Sequence, residues 1–529
     1  MPPRRSPFSF ANVALIVLSL AVVGAAVAAW RAMHAPYRAG PFPPALPSSE
    51  HPRLVAGSDD RAKPTKHYLD AVGDAAGRLH VAWRRVEDES GRSSVHEVVY
   101  VRSGDGGRTW STPRVFAERG APRLAVRGDT VVLLTLGEGA VLFRSPDAGI
   151  SWSGPEIHFR SPPEEYNRVA LLDATPGLFF VDHAVAWHGG RLSLVAAVVS
   201  ATTLPVRIGS RYWAPGAEPI RISERPIQLV ALRSDDAGRT WSEPSPLGSY
   251  HRDFYRPATE GWMSIAADPN GEGLLAAWHE TGENDGRVLM KGTRREALHV
   301  TRSDDGGQTW SRASALPLAF PADRAGRASA DPYLVPFSPS FAWTDRGPRL
   351  AFNTDAGLML ASPAPGVQEA SWPVRSVPDP SAEPPVAWGR GVATAAGERT
   401  VVAWSDTRLA RREWPYAIPD DAPTPLLILA GFAMMGGDTS LDAHTYVVQL
   451  GDGGATEPVL ISPETWASSV QQLVQAGDAT YALWKGGPSR PWADRHQPVD
   501  PRRGEAFYVT PLPAPDAPSV RGGAEETRY

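Results

Sequence analysis

The chain contains no cysteine, which excludes disulfide bonds and thiolate metal sites. It has no basic stripe, and a net charge of -5 spread over mixed acidic and basic residues argues against nucleic acid as a partner. The serine-hydrolase elbow G-x-S-x-G, the zinc motif H-E-x-x-H and the phosphate loop G-x-x-x-x-G-K-[ST] are also missing. The sequence therefore predicts no cofactor and no metal site.

Glycine, proline and tryptophan are abundant, with 49, 52 and 18 copies, which favours many short strands joined by turns. One eight-residue pattern, S-x-D-x-G-x-[TS]-W, occurs four times, and we call its copies boxes. Recurrence of this kind indicates one supersecondary unit used repeatedly. The shared residues are Ser103, Asp105, Gly107, Thr109 and Trp110 in box 1; Ser145, Asp147, Gly149, Ser151 and Trp152 in box 2; Ser234, Asp236, Gly238, Thr240 and Trp241 in box 3; and Ser303, Asp305, Gly307, Thr309 and Trp310 in box 4.

Each position of the box has a physical role in a tight turn. The glycine permits a positive φ, the aspartate and the hydroxyls can bond nearby backbone N–H groups, and the tryptophan can pack on neighbouring structure. A short apolar run precedes the box, as in Val98–Val101 and Leu229–Leu232. The box therefore predicts a hairpin between two strands.

On these residues the chain resembles the Asp-box (bacterial neuraminidase repeat) family of sialidases and related β-propellers. The resemblance implies that each box joins the third and fourth strands of a propeller blade, on the rim away from the active site. We therefore expect an all-β fold, a propeller of six or seven four-stranded blades, with the box residues in a structural role.

A second repeat, a glycine turn followed by an apolar strand, sets the number of blades. Its seven copies begin at Gly77, Gly128, Gly189, Gly273, Gly347, Gly397 and Gly477. Seven copies favour seven blades, whereas sialidase propellers have six, so both numbers stay open. Degenerate boxes at 362–372 and 450–457 extend the series. Arg53-Leu-Val-Ala56 could add an outer strand that closes the last blade.

The ends of the chain differ from the repeats. An uncharged run from Phe8 to Trp30 follows Arg4 and Arg5. Its length is close to the roughly 20 residues that a helix needs to cross a bilayer. We expect residues 1–30 to be a membrane anchor or a cleaved signal peptide, so the protein is exported, either membrane-anchored or secreted to the periplasm or beyond. The remaining parts are a Pro/Ala-rich linker at 31–50, the propeller at 51–511 and a disordered tail at 512–529.

If the chain is a sialidase, the resemblance implies three arginines on a sugar carboxylate, a tyrosine nucleophile activated by a glutamate, and an aspartate acid/base. The family's F/Y-R-I-P motif is absent, since the corresponding region reads His51-Pro-Arg53-Leu and Lys66-His-Tyr-Leu-Asp70. The catalytic candidates precede the fourth and fifth glycine strands: Arg256, Glu260, Arg327, Asp331 and Tyr333.

Asp182-His183 with His188 allows two interpretations, a structural strand histidine or part of a metal site or proton relay. Two functions likewise remain open. One is a non-catalytic propeller that binds a glycan or protein on its loop face. The other is an exo-α-sialidase-type glycoside hydrolase that acts on terminal sialic acid or a related acidic sugar.

Overall fold

The structure is a computed structural model of the whole chain. It describes residues 52–59, 65–86, 96–118, 120–137, 139–159, 178–200, 227–250, 263–281, 296–316, 318–319, 337–354, 357–363, 372–377, 391–406, 444–451, 454–456, 458–462, 466–488 and 506–513. The predicted leader and linker, and all but the first two residues of the predicted tail, lie outside these ranges. Within them, no helix has the length and apolar character needed to cross a membrane.

The described regular structure consists of strands that form seven separate sheets. Blade 1 contains β2 (Thr65–Gly73), β3 (Leu79–Val86), β4 (His96–Ser103) and β5 (Arg114–Phe116), and blade 2 contains β6 (Ala121–Arg127), β7 (Thr130–Gly137), β8 (Gly139–Ser145) and β9 (Ser153–His158). Blade 3 contains β10 (Leu178–His188), β11 (Arg191–Ser200), β12 (Ile227–Ser234) and β13 (Ser245–Tyr250), and blade 4 contains β14 (Met263–Ala267), β15 (Leu274–Thr281), β16 (Glu296–Ser303) and β17 (Ser314–Ala315).

The second half of the chain repeats the arrangement with two additions. Blade 5 contains β19 (Phe337–Thr344), β20 (Gly347–Thr354), β21 (Gly357–Ala361) and β22 (Trp372–Ser376), with β18 (Leu318–Ala319) parallel to β22; blade 6 contains β23 (Val392–Ala396), β24 (Arg399–Asp406), β25 (His444–Gly451), β26 (Gly454–Ala455) and β27 (Val459–Leu460). Blade 7 contains β28 (Trp466–Ala476), β29 (Ala479–Pro488) and β30 (Ala506–Pro511), completed by β1 (Arg53–Leu54).

The first strand of each blade contacts the first strand of the next, and β28 returns to β2. These seven inner strands form the hub of a closed ring. The protein is therefore an all-β propeller of seven blades, which decides between the six and seven left open by the sequence. The seven glycine turns each join an inner strand to the second strand of its blade.

The hydrophobic core is divided among the blade interfaces. Among the described residues, seven clusters of buried side chains occur, and each is drawn from two neighbouring blades. The second strands are apolar on both faces because each blade is covered on both sides. Trp83, Trp278 and Trp484 on these strands are fully buried, each worth roughly 1.5–3 kcal/mol of burial free energy.

The ring is closed by the N-terminal strand. Arg53 and Leu54 pair antiparallel with Val509 and Tyr508 of β30, as the sequence predicted. Beyond the strand, the fully buried Ser58 donates to the Phe507 carbonyl (3.2 Å) and accepts from its N–H group (3.0 Å). Blade 7 therefore has no turn between its third and fourth strands, because these come from opposite ends of the chain.

Candidate functional site

The four boxes are turns between the third and fourth strands of blades 1 to 4. In box 2, Ser145 Oγ donates to Asp147 Oδ1 (2.8 Å) and accepts from the Gly149 N–H (2.7 Å). Ser151 donates its N–H to Asp147 Oδ1 (2.8 Å) and its hydroxyl to Oδ2 (2.6 Å). The other three boxes form the same bonds within about 0.1 Å of these distances. The serine, aspartate and threonine or serine side chains of the pattern are thus used inside the turn, whereas the indole N–H groups of Trp110, Trp241 and Trp310 have no hydrogen-bond partner among the described residues.

This bonding stabilises the charged form of each box aspartate. Burial acts to raise the pKa of Asp105, Asp236 and Asp305, but hydrogen bonds from the following threonine and the preceding serine outweigh it. In Asp147 the largest cause is the Ser151 hydroxyl. All four pKa values fall to about 2. A carboxylate that accepts this many bonds is a poor proton donor near neutral pH, which suits a structural role.

Each box also packs on the blade before it. A Cβ on Gly149 would overlap the Tyr100 hydroxyl of blade 1, and the Trp152 ring lies edge-on to Tyr100 with centroids 4.8 Å apart. Gly107 lies against Val509 of blade 7, and Gly307 lies against Ser193 of blade 3 in the same way. The boxes therefore join neighbouring blades as well as strands.

The glycine turns lie on the same side of the ring as the boxes, and we call this side the box edge. Neighbouring turns bond to one another: the Gly477 N–H donates to the Asp74 carbonyl (2.8 Å), and Arg78 pairs with Asp129 (2.7 Å). Arg191 pairs with Glu272 across blades 3 and 4 (2.8 Å). The polar groups of this edge are thus largely engaged with each other.

A buried network lies under the box edge between blades 1 and 2. The fully buried His80 has Nδ1 2.7 Å from the Tyr100 hydroxyl and Nε2 3.5 Å from Asp74 Oδ2. Burial lowers the pKa of His80 to about 4, although the neighbouring carboxylate opposes this. The ring is therefore neutral at pH 7 and serves to connect the glycine turn to the third strand.

The opposite side, the loop edge, carries the connections from second to third strands and from each blade to the next. The three longest connections between strands join strand ends on this edge, namely 159–177, 201–226 and 407–443. The catalytic candidates Arg256 and Glu260 precede β14, and Arg327, Asp331 and Tyr333 precede β19. These five residues lie outside the described residues.

Inner strands of blades 1, 3, 5 and 7 carry irregularities in their pairing with the second strand, whereas those of blades 2, 4 and 6 pair regularly. A polar residue follows each irregularity. Asp70 Oδ2 accepts from the Leu124 N–H of blade 2 (2.6 Å), and Ser340 Oγ accepts from the Ala393 N–H of blade 6 (3.0 Å). Gln472 exchanges two bonds with the backbone of Ala71. In blades 1, 5 and 7 the residue after the irregularity thus bonds the backbone of the next inner strand, and Ser264 of the regularly paired β14 bonds Phe341 of blade 5 in the same way (3.0 Å).

Tyr68 is the most unusual residue of the hub. It lies in the irregular part of β2 with a φ of 54°, a left-handed conformation that a bulky residue rarely adopts. The Arg84 guanidinium lies over its ring, 5.6 Å from the centroid. Both residues lie on the half of blade 1 nearest the loop edge, and Tyr68 is partly exposed. Strained conformations of this kind are concentrated at functional sites, so Tyr68 marks a candidate site that the sequence pattern did not reveal.

Comparisons with known proteins give the chain no family. No family model matches it, and no curated protein matches it. Among solved structures, an α-L-arabinofuranosidase from Fusarium graminearum in complex with an iminosugar inhibitor is 14% identical with a TM-score of 0.40, over 68% of this chain and 92% of that one. Trypanosoma rangeli sialidase is 12% identical, with a TM-score of 0.39 over 87% and 57% of the two chains. The Hadza microbial sialidase Hz136 is 16% identical, with a TM-score of 0.38 over 67% and 65%. Similarities this weak carry no statement about function.

Proposed function

We propose that this chain is an exported β-propeller that binds a glycan at the loop edge of its hub. The observation that carries the proposal is the contrast between the two edges. On the box edge, short turns bond to each other and to the preceding blade. On the loop edge, the long connections meet inner strands that carry bulges and polar side chains. Binding sites are commonly formed by loops that a rigid scaffold positions.

Tyr68 and Arg84 supply chemistry suited to a sugar. An aromatic ring offers a flat apolar surface, and a guanidinium offers several hydrogen-bond donors in a fixed geometry. A site that combines an apolar surface with a few convergent polar groups is typical of small-molecule recognition. The strain at Tyr68 then has a reason, because it holds the ring at the hub.

A glycan array with neutral and acidic glycans, followed by titration calorimetry on the best glycan, tests this proposal. We expect Tyr68→Ala and Arg84→Gln each to weaken binding about tenfold or more, as for one or two lost contacts. Arg191→Gln, which removes a partly exposed pair on the box edge, is the matched control. Unchanged affinity in both hub variants, or an equal loss in the control, would contradict the proposal.

The alternative is hydrolysis of a terminal sialic acid or related acidic sugar. It is favoured by the resemblance of the boxes to those of sialidases and by the position of Arg256 and Arg327 in segments that join strands at the loop edge. A fluorogenic sialoside tests it directly. Turnover that Arg256→Ala or Arg327→Ala abolishes, and that Asp236→Ala leaves intact in the folded fraction, would establish the hydrolase.

Export and membrane tethering form a separate part of the proposal, with residues 1–30 as the anchor or signal and 31–50 as a stalk. Fractionation of cells that express the full chain tests it. A propeller in the membrane fraction that becomes soluble when residues 1–30 are deleted supports an anchor, and a shorter secreted product supports a cleaved signal. A full-length cytosolic product would exclude both.

A further inference from the structure

Two outer strands of the propeller, β9 of blade 2 and β13 of blade 3, are long enough to pair with a further strand. Each has six residues, whereas the outer strands of blades 1, 4, 6 and 7 have two or three. Among the described strands, none pairs with the outer side of β9 or β13. Backbone N–H and C=O groups on such an edge form a template for another strand.

The two edges differ in regularity and in what they expose. The register shift of β9 lies near its start, so Glu156, Ile157 and His158 pair regularly with β8. Ile157 is 55% exposed, which is unusual for a large apolar side chain of this structure. In β13 the shift lies in mid-strand, next to Gly248, and no large apolar group is exposed among its described side chains. Irregular strands resist edge pairing, so β9 is the edge suited to it.

The sequence of β9 is complementary to itself when it is reversed about Ile157. Antiparallel pairing centred there places Ile157 opposite Ile157 of a second copy, and Glu156 opposite His158. Glu156 bonds Arg144, but its side chain is 36% exposed and its oxygens can accept further bonds. Burial is the main cause that lowers the pKa of His158, so its neutral ring can donate one N–H. Each pair therefore joins matching groups.

Blade 5 shows that an outer strand of this propeller accepts a further strand. There β18 pairs in parallel with β22, and Ala319 lies opposite Pro373. A proline in an outer strand is thus compatible with such pairing. In β9 the proline, Pro155, precedes the segment Glu156–His158, and Phe159 after it has a left-handed φ of 58°. These two residues limit the pairing segment to Glu156–His158.

We propose that two copies of this chain associate through β9, by antiparallel pairing of Glu156–His158 about a twofold axis at Ile157. A twofold contact uses the same surface on both copies, which a self-complementary strand provides. The four-stranded sheet of blade 2 then continues into the same sheet of the second copy. The paired segment is short, so the dimer is weak and forms and separates with concentration. Glycan binding at the loop edge plays no part in this contact.

Single cysteines test the contact directly, because the chain has none of its own. In Ile157→Cys the two thiols of a dimer lie opposite each other, within the Cα separation of roughly 4.4–6.8 Å that a disulfide spans. After oxidation of the full chain with copper phenanthroline, we expect a covalent dimer on a non-reducing gel. Val115→Cys is the matched control, since Val115 is 43% exposed on the outer strand of blade 1. It should stay monomeric.

Two further variants test the register of the pairing. Glu156→Cys and His158→Cys lie opposite one another in the proposed dimer, so a mixture of the two should crosslink. Alone, each lies two residues out of register with its own copy, roughly 7–8 Å away, and should crosslink far less. More dimer in either variant alone than in the mixture would overturn the register. Equal crosslinking of Ile157→Cys and Val115→Cys would overturn the contact.

Sedimentation velocity of the unmodified full chain in mild detergent, over a range of concentrations, covers the case in which a cysteine variant fails to fold. We expect a monomer–dimer equilibrium whose Kd rises about tenfold or more in Ile157→Asp, which places like charges opposite each other. Val115→Asp is the control and should leave the Kd unchanged.

A chain that is monomeric at every concentration, or a dimer that Ile157→Asp does not weaken, would overturn the proposal. Hydrogen exchange separates one further case. A monomer in which the amide N–H groups of β9 are protected would assign this edge to another segment of the same chain, which also contradicts the dimer.

Discussion

The box edge and the loop edge of this propeller use polar residues in opposite ways. On the box edge the same bonds among serine, aspartate and a threonine or serine recur in four blades, and each box contacts the blade before it. On the loop edge the connections differ in length from blade to blade, and the inner strands carry bulges in only some blades. The comparison indicates that repetition serves the scaffold, whereas departures from the repeat mark the region available for function.

The largest expected effect concerns the closure of the scaffold. A chain that begins at residue 51 keeps β1, whereas one that begins at residue 60 loses it together with the buried Val55 and Ser58. We expect the shorter chain to lose on the order of 4 kcal/mol of unfolding free energy, from one buried valine and several hydrogen bonds. Urea denaturation of both chains measures the difference. Equal midpoints would show that the ring does not depend on β1.

The next effect tests the contact between a box and the preceding blade. Gly149→Ala forces a Cβ onto the Tyr100 hydroxyl at a φ of 84°, and we expect a loss of about 3 kcal/mol. Gly77→Ala is the control, because Gly77 has a φ of 80° but no atom within 4 Å of the added Cβ. Strain alone should cost about 1–2 kcal/mol there. Equal losses in thermal unfolding would mean that the turn does not pack on blade 1 as described.

Acid should lower the free energy of unfolding through protonation of His80, which lies under the box edge of blade 1. Its pKa is about 4 in the folded chain and 6.5 in the unfolded chain, so the unfolded state binds more protons between these values. Stability is therefore complete above about pH 6.5 and decreases as the pH falls toward 4, by on the order of 3 kcal/mol. The box aspartates act in a lower window, where stability falls from about pH 3.8 toward pH 2.

Urea midpoints at several pH values from 7 to 4 measure this decrease. His80→Gln, which does not titrate in this range, should show a shallower decline between pH 6.5 and 4. A parallel decline in both proteins would assign the acid sensitivity to other groups.

The smallest effect on stability is expected at Tyr68, on the loop edge. Tyr68→Gly relieves the strain of the left-handed conformation but removes a partly exposed ring, so unfolding free energy should change by less than about 1 kcal/mol. Glycan affinity should nevertheless fall about tenfold or more. Ala148→Gly, at a φ of 56° in box 2, should stabilise by up to about 1 kcal/mol with no change in affinity. A large loss of stability at Tyr68 would place it in the scaffold.

The repeats allowed much of the fold to be predicted. Glycine turns and boxes are short motifs whose own residues determine a turn, so seven glycine turns indicated seven blades. The hub could not be predicted in this way. Whether β2 bulges at Tyr68, and whether Asp70 reaches Leu124, depends on the inner strand of the next blade, which is distant in sequence. The burial of His183 and the bond from Arg123 to its carbonyl likewise depend on the packing of blade 2 against blade 3.

The sequence by itself determined the turn chemistry, the apolar second strands and the closing strand, because hydrogen bonding within a turn and alternation along a strand depend on near neighbours. Only the tertiary structure decided the number of blades in the ring and which polar residues meet at its hub. Those features follow from the packing of whole blades against each other, in which residues hundreds of positions apart become neighbours.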